Sequence, residues 1–146
     1  MVDKEHKIFL IGCFITVSVI AYLLNWNFDS MADTATTLVS IAVGVYIAAA
    51  SALLGSPYAK GLKQTTDKKR TSNTLLGTLL DYFRHAGKLG ITTVIVSCLY
   101  KIPATYNVPI IIARIGSAAA YGIFFCNILF LWLVFVFLVN SIEKSV

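Results

Sequence analysis

Long apolar runs, separated by short polar segments, dominate the pattern of residues along the chain. A helix needs about 20 apolar residues to cross a hydrocarbon core of roughly 30 Å. Three runs meet this requirement directly, at residues 8–26, 35–54 and 109–139. The last is longer than one crossing needs, so a helix there would be tilted or would protrude. The pattern predicts at least three transmembrane helices.

A fourth apolar run, residues 89–100, is too short to cross by itself. Its 12 residues would cover only about 18 Å as a helix. A helix over 83–102 is long enough if Arg84 and Lys88 extend back toward the headgroups. The preceding stretch "LLDYFRHAGKLG" carries four ionisable residues at helical positions i, i+3, i+4 and i+7, and so on one face: Asp81, Arg84, His85 and Lys88.

Basic residues are distributed unevenly between the connecting segments. If four helices cross, all of the 12 Lys and Arg residues except Lys101 and Arg114 lie on the side that holds both termini. Cytoplasmic segments are enriched in Lys and Arg. The sequence therefore predicts an all-α fold, a single membrane domain over residues 1–146. We expect a bundle of four transmembrane helices at about 8–26, 35–54, 83–102 and 109–139, with both termini cytoplasmic and a basic cytoplasmic loop at 55–82.

Composition agrees with a membrane protein. The chain has 146 residues, of which 58% are hydrophobic and 13% charged, and its mean hydropathy is +0.79. These values lie well outside the range of soluble domains. The length leaves room for one bundle of helices and no second folded domain.

Few residues are available for catalysis or metal binding. The chain has two His and three Cys, and the cysteines lie in apolar runs without CxxC spacing, as small buried hydrophobes do. No GxSxG, HExxH or P-loop motif is present, and no TVGYG-like potassium filter occurs. We expect no enzymatic activity, no cofactor and no metal site.

Two stripes of small residues predict close helix packing. One lies in the second span, and the other opens the fourth span in "ARIGSAAAYG". Each stripe could pack within the chain or between subunits. If one packs internally and the other by self-association, the protein is a homo-oligomer. The stripes contain Ser40, Gly44, Ala48 and Ala52 in the second span, and Gly116 and Ala120 in the fourth.

Polar residues inside the spans are candidates for a pore. Asn127 lies midway along the fourth span, where an unpaired amide is costly. It would form an interhelical hydrogen bond or line and gate a pore. Arg114 would snorkel outward or form an outer ring of charge. The charged face of the third span, with Asp81, Arg84, His85 and Lys88, is the other candidate lining.

The loop between the second and third spans carries a cluster of basic residues. Attraction to anionic lipid, worth about 1 kcal/mol per residue near the surface, explains it most simply. A soluble partner could also dock there, whereas direct nucleic-acid binding is not expected, because aromatic interleaving is absent. The segment "TLLGTLLDYF" could start as a surface helix capped by Ser72 or Asn73. The cluster comprises Lys60, Lys63, Lys68, Lys69 and Arg70.

The order of these features resembles the RexB family of phage-exclusion membrane proteins. The resemblance lies in the topology, in "LLGS" ending the second span before a basic stretch, and in the small-residue run opening "VPIIIARIGSAAAYGIFFCNILFLWLVFVFLVNSIEK". The membrane subunit of the Kiwa defence system is similar in size and arrangement. The central loop of this chain is longer and more basic than in that family.

The resemblance implies an ion-conducting protein of the bacterial inner membrane that depolarises the cell after phage infection. A cytoplasmic, nucleic-acid-sensing partner would trigger it, and no catalytic residues are implied. Two alternatives remain open from the sequence. One is a non-conducting sensor or scaffold that recruits a soluble effector through residues 56–75. The other is a holin-like lytic pore. A basic cluster near the C-terminus would favour it, but only Lys144 lies there.

Overall fold

The structure is a computed structural model that describes residues 4–64, 66–67, 70–102 and 109–143. Within these residues the chain is helical apart from one short antiparallel strand pair. The helices are α1 (Lys4–Leu23), α2 (Asp29–Gly55), α3 (Tyr58–Gln64), α4 (Leu75–Tyr100) and α5 (Ile110–Glu143), and the strands are β1 (Thr66–Asp67) and β2 (Arg70–Thr74).

Three of the helices are long and apolar enough to cross a membrane. They include the segments His6–Leu23, Asp29–Gly55 and Ile110–Asn140, which correspond to three of the predicted spans. The prediction of a helical, multi-pass membrane protein is confirmed at this level. Helix α4 is not among these segments, and the charged residues of its first half lower its apolar character.

The four long helices form an antiparallel bundle. Helix α4 packs against α2 on one side and α5 on the other, and α1 packs against α5. At one end of the bundle His6 of α1 is hydrogen-bonded to Tyr82 of α4, with 2.6 Å between Nδ1 and Oη. At the other end the Phe28 ring contacts Tyr100 and Tyr121 edge to face. Successive long helices therefore run in opposite directions.

The turn between α1 and α2 is closed by backbone hydrogen bonds. Asn25 has a left-handed conformation with φ 54°, which asparagine tolerates better than most residues. The Asn25 and Trp26 amides donate to the carbonyls of Tyr22 and Ala21 at 3.2 and 3.0 Å, as in a Schellman motif. Phe28 then anchors the turn, because its side chain is completely buried.

Helix α4 runs without interruption from the predicted surface helix through the predicted third span. It starts at Leu75, and Thr74 caps it by accepting a hydrogen bond from the Gly77 amide at 3.2 Å. The predicted caps Ser72 and Asn73 were therefore wrong, and so was the surface helix that turns into the membrane. Packing against α2 and α5 along the whole length explains why α4 stays a single helix.

The basic loop is partly ordered into short elements. Helix α3 follows α2 almost directly, and β1 pairs with β2 with Thr66 opposite Thr74. This local structure was not predicted, because the segment has neither the length nor the apolar periodicity of a helix or hairpin with its own core. Lys68 and Lys69 lie outside the described residues.

Two aromatic and alanine-rich clusters fill the centre of the bundle. Tyr46, Tyr82 and Phe130 lie in the cluster near the His6 end. Phe28 and Phe124, together with several alanines, form the other cluster. The exterior is rich in large exposed apolar side chains, from Ile8 and Phe9 on α1 to Trp132 and Phe135 on α5, as expected of helices surrounded by lipid.

Two glycines allow the helices to approach closely. A Cβ at Gly90 of α4 would overlap the Val43 side chain of α2. One at Gly122 of α5 would overlap Ser18 and lie 2.8 Å from the Phe14 ring of α1. Small residues at helix crossings are typical of membrane bundles. Gly122 ends the small-residue stretch "ARIGSAAAYG" that was predicted to pack closely, whereas Gly90 lies outside both predicted stripes.

Candidate functional site

Asn127 lies inside the chain, between α4 and α5. Its side chain is 2% exposed, and its amide group donates to the Thr93 hydroxyl at 2.8 Å. That hydroxyl donates in turn to the Leu89 carbonyl of its own helix at 2.9 Å. This is the interhelical hydrogen bond that was one of the two predicted roles. Within a single chain Asn127 does not line an open path.

Other buried polar groups lie elsewhere along the bundle. Ser97 is one turn beyond Thr93 on α4 and is fully buried, whereas Tyr46 packs beside Phe83. The Ser97 hydroxyl, the Tyr46 hydroxyl and the Asn127 carbonyl oxygen have no hydrogen-bond partner in the described part of the chain. Burying such groups without a partner is costly.

The four ionisable residues of α4 do lie along one side of the helix, but in different environments. Arg84 is 69% exposed, and its guanidinium is 3.7 Å from the Asp81 carboxylate. His85 is partly buried and its Nδ1 donates to the Asp81 carbonyl at 2.7 Å. Lys88 is exposed. They form a charged strip on the outside of the bundle.

A groove between α1, α4 and α5 adjoins this strip. It has a volume of about 510 Å³ and is lined mainly by apolar side chains, among them Leu10 and Phe14 of α1 and Phe130 of α5. The polar residues that line it, His85, Lys88 and Thr92, all come from α4. Sequence patterns could not reveal this groove, because it depends on how three helices pack.

An ionic cluster lies at the opposite end of the bundle. The Lys101 ammonium is 3.0 Å from the Asp33 carboxylate and 3.6 Å from that of Asp29. The two acids, one turn apart on α2, were predicted to lie in a loop before the second span. Arg114 is exposed in the first turns of α5, and it forms no ion pair with a described carboxylate.

The small-residue stripe of α2 faces away from the other helices. Ser40, Gly44, Ala48 and Ala52 are all exposed, and no described atom lies within 4 Å of a Cβ built at Gly44. Helix α2 instead packs through a different face, which contains Ala35, Val39, Ala42 and Tyr46. The stripe is therefore not a packing face within the chain.

The stripe of α5 has the opposite environment. Ala120 is buried, and a Cβ at Gly116 would lie 2.7 Å from the Tyr100 hydroxyl of α4. This face packs inside the chain. One small-residue stripe is thus used internally and the other is left on the surface.

The outward face of α2 is polar as well as small. Asp33, Thr37, Ser40, Gly44, Ser51 and Gly55 follow one another at spacings near 3.5 residues per turn, and all are exposed. A spacing of 3.5 is typical of a seam between helices. We call this set, together with Ala48, the α2 seam. Only its small residues were recognised from the sequence, because Asp33 was placed in a loop.

The structure describes three of the five residues of the basic cluster. Lys60 and Lys63 lie on α3 and are exposed. Arg70 begins β2, and Lys68 and Lys69 lie outside the described residues. Over the described ranges, no three His, Cys, Asp or Glu side chains come close enough together to hold a metal ion.

Comparisons with protein-family models, curated proteins and solved structures found no match for this chain.

Proposed function

We propose that four helices, α1, α2, α4 and α5, cross the membrane, with both termini in the cytoplasm. The 26 residues of α4 extend about 39 Å at 1.5 Å per residue, more than the roughly 30 Å of a hydrocarbon core. Its Tyr82 contacts Phe130 of α5 at one end, and its Tyr100 contacts Phe28, in the turn before α2, at the other. Helix α4 therefore lies at the same depth as its neighbours.

The exposed side of α4 supports this proposal. Arg84 and Lys88 occupy its first half, and the same side continues as a row of exposed apolar residues. Long basic side chains can extend toward headgroups while apolar ones face lipid tails. The apolar row consists of Ile91, Ile95, Leu99 and Ile102.

Labelling single cysteines from each side of the membrane tests this topology. In a background in which Cys13, Cys98 and Cys126 are replaced by Ser, so that each variant carries one thiol, we expect a membrane-impermeant maleimide to label Lys63→Cys only from the cytoplasmic side and Lys101→Cys only from the opposite side. Both residues are exposed and outside the helical core. Labelling of the two positions from the same side would contradict a crossing by α4.

We further propose that copies of the chain associate through the α2 seam and enclose an ion-conducting pore. The observation that carries this proposal is that the exposed face of α2, opposite its packed face, consists of small and polar side chains. Ser and Thr hydroxyls on a lipid-facing surface gain nothing from lipid tails. In an oligomer with α2 nearest the axis, the same face would contact neighbouring copies and water.

The centre of the single chain offers no comparable path. Asn127, Thr93 and Phe124 are buried between the helices, and Asn127 is used in a hydrogen bond. A pore formed by several copies therefore explains the polar surface better than a pore through one copy. At its outer mouth each subunit would contribute Asp29, Asp33 and Lys101, with one carboxylate in excess, which favours cations.

The phage-defence role is the part of the proposal that depends on the family resemblance. In this view the chain is the membrane effector, and a cytoplasmic, nucleic-acid-sensing partner opens it. Exposed Lys60 and Lys63 on α3 are the nearest described contacts for such a partner or for anionic lipid. The ordering of α3 and the strand pair also favours the second candidate function, a non-conducting scaffold that recruits a soluble effector.

Conductance separates these two functions. In planar bilayers recorded with and without a cytoplasmic trigger, we expect the purified protein to pass discrete cation-preferring currents that the trigger increases. The scaffold would instead remain electrically silent and still bind its soluble partner. If the protein passes no current but still binds its partner, the pore is contradicted and the scaffold function is supported.

A further inference from the structure

The groove between α1, α4 and α5 combines an apolar interior with a cationic edge. Leu10, Phe14, Ile123 and Phe130 form much of its wall. Its volume of about 510 Å³ falls within the range of roughly 300–1,000 Å³ typical of sites for small organic ligands. It is far larger than the space of one water molecule, about 30 Å³. The groove can therefore accept an extended organic group.

The Lys88 ammonium at the edge of the groove favours an anion. The Thr92 hydroxyl already donates to the Lys88 carbonyl at 3.0 Å. A carbonyl oxygen only accepts, so the His85 Nδ1 that contacts the Asp81 carbonyl carries a proton. With its proton on Nδ1, a neutral His85 ring presents Nε2 as an acceptor, so the Lys88 ammonium is the donor that remains available to an anionic ligand. Lys88 forms no ion pair with any carboxylate that the structure describes.

The surroundings of the groove indicate where its ligand comes from. Ile11 lines it and is exposed, and the neighbouring exterior of α1 is formed by Ile8 and Ile15. Such a surface faces hydrocarbon, so a ligand would enter laterally from the bilayer. Its chemistry must then match that of a membrane lipid.

If α4 crosses the membrane, Lys88 lies nearer the cytoplasmic headgroups than the outer ones. Lys88 precedes Tyr100 by 12 residues, or about 18 Å along α4. In a core of roughly 30 Å, its Cα lies in the cytoplasmic half, and its long side chain can extend toward the cytoplasmic headgroups. A phosphate there would meet the ammonium, while the attached acyl chain would run into the groove.

We propose that this groove binds an anionic phospholipid of the cytoplasmic leaflet, with one acyl chain between α1, α4 and α5 and its phosphate on Lys88. The site differs from the basic loop, which attracts lipid headgroups without holding an acyl chain. The proposal relies on the crossing of α4 proposed above, but not on conduction.

Native mass spectrometry of the full chain tests this site. The protein in detergent micelles is titrated with phosphatidylglycerol or phosphatidylcholine of identical acyl chains. We expect one phosphatidylglycerol per chain to bind at least about five-fold more tightly than phosphatidylcholine, the effect of one basic residue near an anionic headgroup. Equal affinities for the two lipids would overturn the proposal.

Four variants locate the site. Lys88→Gln should remove the preference for phosphatidylglycerol, and Lys88→Arg should keep it. Lys63→Gln removes the same charge from α3 and should leave the preference unchanged. Ile123→Trp should fill the groove and abolish binding of both lipids while circular dichroism shows unchanged helix content.

Three results with these variants would contradict the site. They are an equal loss in Lys63→Gln and Lys88→Gln, an undiminished preference in Lys88→Gln, and retained lipid in a folded Ile123→Trp variant. The measurement needs no current, so a protein that is silent in planar bilayers can still confirm or contradict the lipid site. The cysteine-labelling test of the crossing by α4 uses neither lipid binding nor current, so its failure can be distinguished from the failure of the lipid site and from the absence of conduction.

Discussion

Replacing Gly90 with leucine is expected to destabilise the bundle by about 3 kcal/mol, the upper part of the range for overpacked cores. Even a Cβ at this position would overlap the Val43 side chain, and Val39 and Asn127 lie within 4 Å of it. Val43 cannot easily give way, because β-branched side chains are restricted at χ1. Helices α2 and α4 would have to separate.

The matched control for this variant is Gly87→Leu on the same helix. No described atom lies within 4 Å of a Cβ at Gly87, and leucine is a better helix former than glycine by somewhat less than 1 kcal/mol. We expect Gly87→Leu to be neutral or slightly stabilising. The measurement is unfolding by sodium dodecyl sulfate in mixed micelles, followed by circular dichroism. Equal stabilities of the two variants would show that α2 and α4 do not approach closely at Gly90.

Replacing Gly44 with leucine should leave the single chain folded but abolish self-association and current. Gly44 lies in the middle of the α2 seam and is open in the single chain. A large side chain there would prevent the close approach that small residues permit between membrane helices. We expect chemical crosslinking in liposomes to yield only monomers, and planar bilayers to show at least a ten-fold loss of current.

Gly12→Leu is the control for this second prediction. Gly12 is also exposed, and its Cβ position is equally open, but it lies on α1, away from the seam. The same substitution there should preserve both the crosslinked oligomer and the current. If Gly12→Leu and Gly44→Leu behave alike, the oligomer does not form through α2.

Apolar run lengths were sufficient to predict the helical membrane architecture. The helices extend beyond the predicted spans: α2 begins at Asp29, before residue 35, where Asp29 and Asp33 pair with Lys101 across the bundle. Such a partner is distant in sequence and cannot be identified from local pattern. Helix α4 likewise extends back to Leu75, before the predicted third span, through the apolar stretch that was predicted to form a surface helix.

Candidate site residues were harder to place, because a residue's role depends on the direction in which it points. Asn127 was recognised as an intramembrane polar residue, yet only the packing of α4 and α5 shows that Thr93 is its partner. The stripe around Gly44 could have packed inside or outside the chain. The opposite face of α2, which contains Ala35 and Tyr46, is more apolar and packs against the other helices. The α2 seam is therefore exposed on the surface of the bundle.

The central claim, that the α2 seam lines a pore, is tested most directly by cysteine modification during current recording. In a Cys98→Ser background, Ser40→Cys places a thiol on the seam, and Val45→Cys places one on the exposed flank of the same helix. A water-soluble, cationic methanethiosulfonate reagent is then applied to open channels. We predict that it blocks the current of Ser40→Cys and leaves that of Val45→Cys unchanged. Equal block of both variants, or no block of Ser40→Cys in a conducting protein, would contradict the claim.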